Sequence, residues 1–407
     1  MKNNLFFRIL GQYEYKILHK RILFTLFILL IYIFGSHISI VSSDKMNAQE
    51  NSFYKLAVSN MGGDLHTLNI FSLGLGPWLT AMIFLMLLRY RNFEKAMRQT
   101  RKEKHYQEKL LTLALCIVQG YFMIHQSVVK DHIKEANIFL LLLVVVTGAM
   151  LLVWMADQNV RYGIAGPMPI VLLSIVRSIF NQRLPELHVQ TFILVTIIVL
   201  VIVALFVLLL IELVEYRLNY RDIMHITDTR TPSYLAWKLN PAGSISIMIS
   251  LSVFILLNSV INLIIGFVTG KTTHIAFLSF NNAIGITVYI LMQIILGYWM
   301  SRLLINTKQK TKDFLKSGNY FVGVYPDTET EAFLNSKARR ICWTGSIIVG
   351  LIIGIPLYCT LFVPQLSQQI YFAIQLIIMV YISINIAETL RTYLYFDKYQ
   401  QFLTKYW

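Results

Sequence analysis

Of the 407 residues, 56% are hydrophobic and only 14% charged, with a mean hydropathy of +0.59. This excludes an ordinary soluble domain and describes a chain that crosses a membrane many times. The formal net charge of +15 raises the question of nucleic acid, but the placement of the basic residues assigns them to membrane topology instead.

Residues 6–21, FFRILGQYEYKILHKR, mix aromatics with Arg8, Lys16, Lys20 and Arg21, as expected of a segment lying along the cytosolic interface. The first apolar run, 22–41, is long enough to span, because a crossing helix needs about 20 apolar residues. No small-x-small cleavage site follows it. Residues 42–70 form an outward excursion too polar to span. Further spans are expected near 71–88, 110–128, 137–156, 163–181, 191–213, 244–266, 283–304, 342–362 and 370–390.

Ten spans return both termini to one side. If that side is the cytosol, 29 of the 36 Lys and Arg residues face inward. Lys45, Lys55, Lys130, Lys134, Arg177, Arg183 and Lys271 face outward. The positive-inside rule fixes this orientation. The expected fold is thus an all-α polytopic membrane protein with both termini cytosolic. Five spans precede a link around Pro185 and five follow, dividing the chain into halves 1–185 and 186–407. An odd number per half inserts the second half inverted, and inverted halves commonly meet at a pathway near the midplane.

Two cytosolic loops stand out. Residues 89–109 carry eight basic residues, Arg98, Arg101 and Lys102 among them, against three acids. Within residues 302–341, KSGNY reads as a turn that includes Lys316, and FVGVY as a short strand ending at Tyr325. Thr328 is expected to cap a helix, with Glu331 completing a capping box.

The second span opens badly for a helix. In NIFSLGLGPWLTAMIFLMLL (69–88), Gly74, Gly76 and Pro77 cluster, where glycine costs about 1 and interior proline about 3 kcal/mol relative to alanine. Either the helix kinks there, or it stops and restarts with proline in its first turn, where the missing N–H matters little.

Polar residues in or near the spans raise further candidates. Glu212 and Glu388 lie near cytosolic ends, beside Arg217 and Arg391. Interfacial ion pairs are expected there, with the proton relay of an ion-coupled secondary transporter as the alternative. Asn258, Asn262, Asn281 and Asn282 need partners wherever they are buried. Arg177, close to an outer end, either snorkels outward or lines a vestibule. Cys116, Cys342 and Cys359 fall in apolar runs without paired spacing and read as small buried hydrophobes. No GxxxxGK[ST], HExxH or GxSxG motif occurs, so no catalytic residue, metal or cofactor is expected.

Five stretches in order resemble the SecY family of protein-conducting channels. They are IFSLGLGPWLTAMI (70–83), TGAMLLVWMADQNVRYGIAG (147–166), LVEYRLNY (213–220), KLNPAGSI (238–245) and DFLKSGNYFVGVYPDTETEAFL (313–334). The chain departs from the family pattern in GIAGP (163–167), in Tyr325 where the family has arginine, and in the tenth span. These departures resemble the accessory paralogue of some Gram-positive bacteria, which exports glycosylated serine-rich adhesins with its own SecA. The housekeeping channel is the alternative.

The resemblance implies a split second helix, with a plug within about 53–69 hinged near Gly62 and Gly63. It implies a lateral gate between the second span and the seventh and eighth. It implies a pore ring at Leu75, Leu79, Leu172, Val176, Met248 and Ile378. All six are apolar, and 75/79 and 172/176 are spaced i, i+4, so each pair shares a helix face. The implied partners are a SecA-type ATPase at the basic loops, SecE- and SecG-like small subunits, accessory Sec proteins, a preprotein and membrane lipid, with no nucleic acid.

Overall fold

A computed structural model describes residues 13–40, 52–63, 68–92, 98–131, 137–181, 191–222, 233–269, 282–363 and 366–396. Helices occur at each of the ten expected spans: α1 Tyr13–His37, α3 Gly76–Arg91, α4 Arg101–Asp131, α5 Ile138–Tyr162, α6 Met168–Asn181, α7 Thr191–Leu213, α8 Gly243–Thr269, α9 Ala283–Ile305, α11 Thr328–Phe362 and α12 Ser367–Phe396. Short helices α2 Ser52–Ser59 and α10 Thr307–Ser317 and strands β1 Glu215–Asn219 and β2 Tyr234–Lys238 complete the described elements. Among the described residues, six helices are long and apolar enough to cross a bilayer by themselves. The others, α3 for one, are short, carry charged ends or are only partly described.

The expected restart is present. Leu75 precedes α3, and Pro77 occupies its first turn. Gly74 takes φ +65°, a conformation that glycine adopts without strain. Three local expectations are corrected. FVGVY is not a strand, because Gly323 turns the backbone at φ +81° and only Tyr320 bridges, to Arg221. Thr328 does not cap α11: Asp327 is the N-cap residue and makes no side-chain cap bond. Instead the Glu329 carboxylate accepts from the Tyr325 amide at 3.2 Å. A reciprocal capping box opens α4, where Thr100 and Glu103 exchange bonds of 3.1 and 3.3 Å.

The first turns of α1 and the last turns of α12 meet at one face of the bundle. Arg21 of α1 donates to the Tyr393 hydroxyl of α12 at 3.0 Å and covers its ring at 4.7 Å. That face also carries a small second core, where the β1–β2 hairpin packs its Leu218 and Trp237 with Phe314, Phe321 and Leu334. Of the interfacial segment expected at 6–21, residues 6–12 lie outside the described residues, and from Tyr13 the chain is already helix α1. Phe27, Phe34, Phe139, Phe206 and Phe362 point outward, exposed as lipid-facing residues are.

Candidate functional site

One continuous apolar core runs through the helix bundle. It contains Leu75, Leu79, Met248 and Ile378, each at most 2% exposed, with half-buried Leu172 against it. Val176, one turn further along α6, is half-buried outside this cluster. Leu79 and Met248 also face a cavity of about 410 Å³ whose other walls include Trp78, Met82, Asn385 and Glu388.

Helix α2 is packed among α6, α8 and α12. Its Leu56, Ala57 and Val58 are buried, and the turn after it, residues 60–63, is held by side chains from distant helices. Tyr32 of α1 donates to the Gly62 carbonyl at 3.0 Å, and Ser174 of α6 to the Gly63 carbonyl at 2.6 Å. Gln375 of α12 donates to Ser59 Oγ at 3.2 Å. The turn also touches the start of α3, where the Leu75 amide donates to the Met61 carbonyl at 2.8 Å. A Cβ on Gly63 would lie 2.6 Å from the Ser72 carbonyl oxygen, and one on Gly74 2.6 Å from the Gly63 nitrogen. Two backbone strands cross here at a distance only glycine permits. Of the expected plug segment, residues 64–67 lie outside the described residues.

Helix α3 packs on α4, α8 and α9. Ser252 of α8 bonds to the Gly76 carbonyl, and Ser250 bonds to Gln293 of α9. The asparagines singled out from sequence do not make these inter-helix bonds. Asn262 donates to Asn258 of its own helix at 3.0 Å, Asn282 is exposed at the start of α9, and Asn281 lies outside the described residues. Arg177 reaches across to Ser36 of α1.

The carboxylates are paired, but not to the neighbours expected. Lys238 of β2 lies between Glu212, at 3.3 Å, and Glu388. Burial alone pushes the Lys238 ammonium down, yet the two carboxylates outweigh it and hold its pKa above the usual lysine value. Arg217 instead pairs with Glu215 at 3.4 Å and covers the Tyr234 ring at 4.6 Å. The GIAGP departure is also built: Asn159 donates to the Ile164 and Gly166 carbonyls at 3.0 and 2.6 Å and accepts from Thr25 at 2.9 Å. These bonds hold Ala165 at φ +57°, where alanine is strained. Arg98, Arg101, Lys102, Lys316 and Tyr325 are all exposed, Tyr325 to 75%.

A SecY family profile matches residues 69–387. The chain belongs to the SecY family. It is 61% identical over 407 residues to the accessory Sec system protein translocase subunit SecY2 of Staphylococcus pseudintermedius (strain ED99), covering all of both chains. Its identity to the protein of the same name from Staphylococcus haemolyticus (strain JCSC1435) is 62%, over 97% of this chain and 99% of that one. For that of Staphylococcus aureus (strain Newman) the identity is 58%, over 98% and 100%. Among solved structures, "The structure of a protein conducting channel" superposes with a TM-score of 0.64 at 15% identity, over 93% of each chain. Sec61 in the canine ribosome-channel complex superposes with a TM-score of 0.60 at 14% identity, over 93% of each chain. This SecY-family chain therefore shares the channel fold and is a multi-pass membrane protein.

Proposed function

We propose that the chain is the central channel subunit of an accessory protein-export translocon, passing unfolded preproteins across the bacterial cytoplasmic membrane with both termini in the cytosol. The observation that carries this reading is the near full-length identity of 58–62% to staphylococcal accessory subunits. Glycosylated serine-rich adhesins are the proposed substrates. The proposed motor is an accessory SecA-type ATPase docking at Arg98, Arg101, Lys102, Lys316 and Tyr325, with SecE- and SecG-like subunits and accessory Sec proteins beside the channel. Halves 1–185 and 186–407 are the proposed moving parts.

The physical logic rests on the constriction. A channel for polar chains must hold back ions when idle, and an apolar neck does so because water leaves it. Leu75, Leu79, Leu172, Val176, Met248 and Ile378 supply such a neck in this reading. Met248 brings a flexible thioether able to conform to varied side chains. The α2 segment plugs the outer side, hinged at Gly62 and Gly63, and the contact of α3 with α8 and α9 is the lateral gate.

Reconstitution in liposomes tests the whole. Preprotein uptake that requires the accessory SecA and ATP is the expected result. Proton- or sodium-coupled flux of a small solute without motor or preprotein would instead establish a secondary transporter.

A further inference from the structure

Where α3 meets α9 at the hairpin face, one guanidinium joins three groups on three helices. Arg302 of α9 donates Nε to the Tyr90 hydroxyl of α3 at 3.3 Å. Its Nη1 donates to the Tyr298 hydroxyl at 3.1 Å, one turn back on α9. Its Nη2 donates to Asn335 Oδ1 of α11 at 2.5 Å. Aromatic contacts fix this hub: Tyr90 meets Trp299 edge to face at 6.5 Å, and Tyr298 stacks on Trp343 at 4.8 Å. Lys308, at the start of α10, lies over the Tyr90 ring at 5.9 Å.

Asn335 belongs to the first turns of α11, directly after the exposed loop that carries Tyr325. The same guanidinium therefore touches the gate helix α3 and the base of the proposed motor-docking loop. We propose that Arg302 is a latch that holds the lateral gate shut and that a partner seated on the α10–α11 loop releases it by drawing Asn335 away. This rests on the assignment of α3, α8 and α9 as the gate. The planar fork has donors for all three groups at once, so moving one acceptor shifts the others. Lysine, with a point charge on a flexible stem, cannot span the same three positions.

The test uses the full chain in nanodiscs, and its arms without any partner read the latch whether or not preprotein export is the function. With Cys116, Cys342 and Cys359 replaced by alanine, spin labels at exposed Asn92 and Leu304 report the separation of α3 and α9 by double electron–electron resonance. Tyr90→Phe keeps the ring and removes the acceptor. Loss of one charge-assisted hydrogen bond is expected to raise the population of the longer distance by about tenfold. Arg302→Lys should do the same. Asn335→Ala should leave the resting distance short and abolish the lengthening that added accessory SecA produces in the unsubstituted hub. Unchanged distances in both Tyr90→Phe and Arg302→Lys, at equal yield and melting temperature, overturn the latch.

Discussion

The hydroxyl of Ser174 donates to the backbone carbonyl of Gly63 at 2.6 Å, tying α6 to the turn that follows α2. A side chain 111 residues away in sequence thus anchors the segment proposed as the plug. Ser174→Ala removes the donor and leaves a buried carbonyl without it. The loss is about 1 kcal/mol, or roughly fivefold in the plug equilibrium. Planar-bilayer recordings at matched protein level should show a corresponding rise in resting leak, with unchanged leak arguing that the plug is held elsewhere.

The ring offers a sharper measurement. Leu79→Asn or Ile378→Asn places an amide in the apolar neck, which then wets more readily. Resting conductance should increase, and substrates with weak signals should be exported better. If these side chains only fill space between helices, the substitutions will lower the amount of folded protein and leave conductance per channel alone.

Tyr325 is 75% exposed at the tip of its loop, with its amide bound to Glu329. Tyr325→Arg should therefore leave the fold intact while shifting motor preference from the accessory toward the housekeeping SecA. Export measured with each motor decides the point: an unaltered ratio places selectivity on another surface.

Lys238 bridges the nearly inaccessible Glu212 and the partly exposed Glu388. Breaking a fully buried pair costs about 3–5 kcal/mol, and the partial exposure of Lys238 brings its loss below that range. Lys238→Met should lower the melting temperature in detergent more than Glu388→Gln does, because only the former strands Glu212. Since the lysine pKa is raised on folding, its contribution is complete below the unfolded lysine value near 10.4. It fades only as the pH rises through the higher folded value, so melting between pH 6 and 9 should show no titration from this group.

What could be read in the sequence followed the range of the signal. Hydropathy located all ten spans, and Gly74, Gly76 and Pro77 marked the restart of α3 because local backbone chemistry suffices there. Glu212 was matched to the wrong cation because proximity along the chain favoured Arg217. The antiparallel register sets Glu215 opposite Lys238, which brings a residue 26 positions away beside the carboxylate. The serines of SISIMISLS were hidden inside a strongly apolar run, yet Ser250 and Ser252 make polar contacts from α8 to α9 and α3. Their even spacing was visible, but their partners, the Gly76 carbonyl and Gln293, exist only after packing. Tyr32, Ser174 and Gln375 were invisible as partners of α2 and the turn after it for the same reason. The Thr100–Glu103 box could have been found, since its T-x-x-E spacing is a purely local signal.

The bond from the Leu75 amide to the Met61 carbonyl has a mechanical consequence. Leu75 belongs to the proposed constriction and precedes α3, so in the proposed reading the plug supplies an acceptor for the backbone from which the gate helix begins. Departure of the proposed plug would strip that amide of its partner at the moment the proposed neck must widen. The stopper, the neck and the wall of the channel then behave as a circuit with one switch: a state with the plug gone and Leu75 undisturbed is missing a bond that neither neighbour replaces. Opening of this channel should accordingly be abrupt, with few long-lived partial conductances between shut and open.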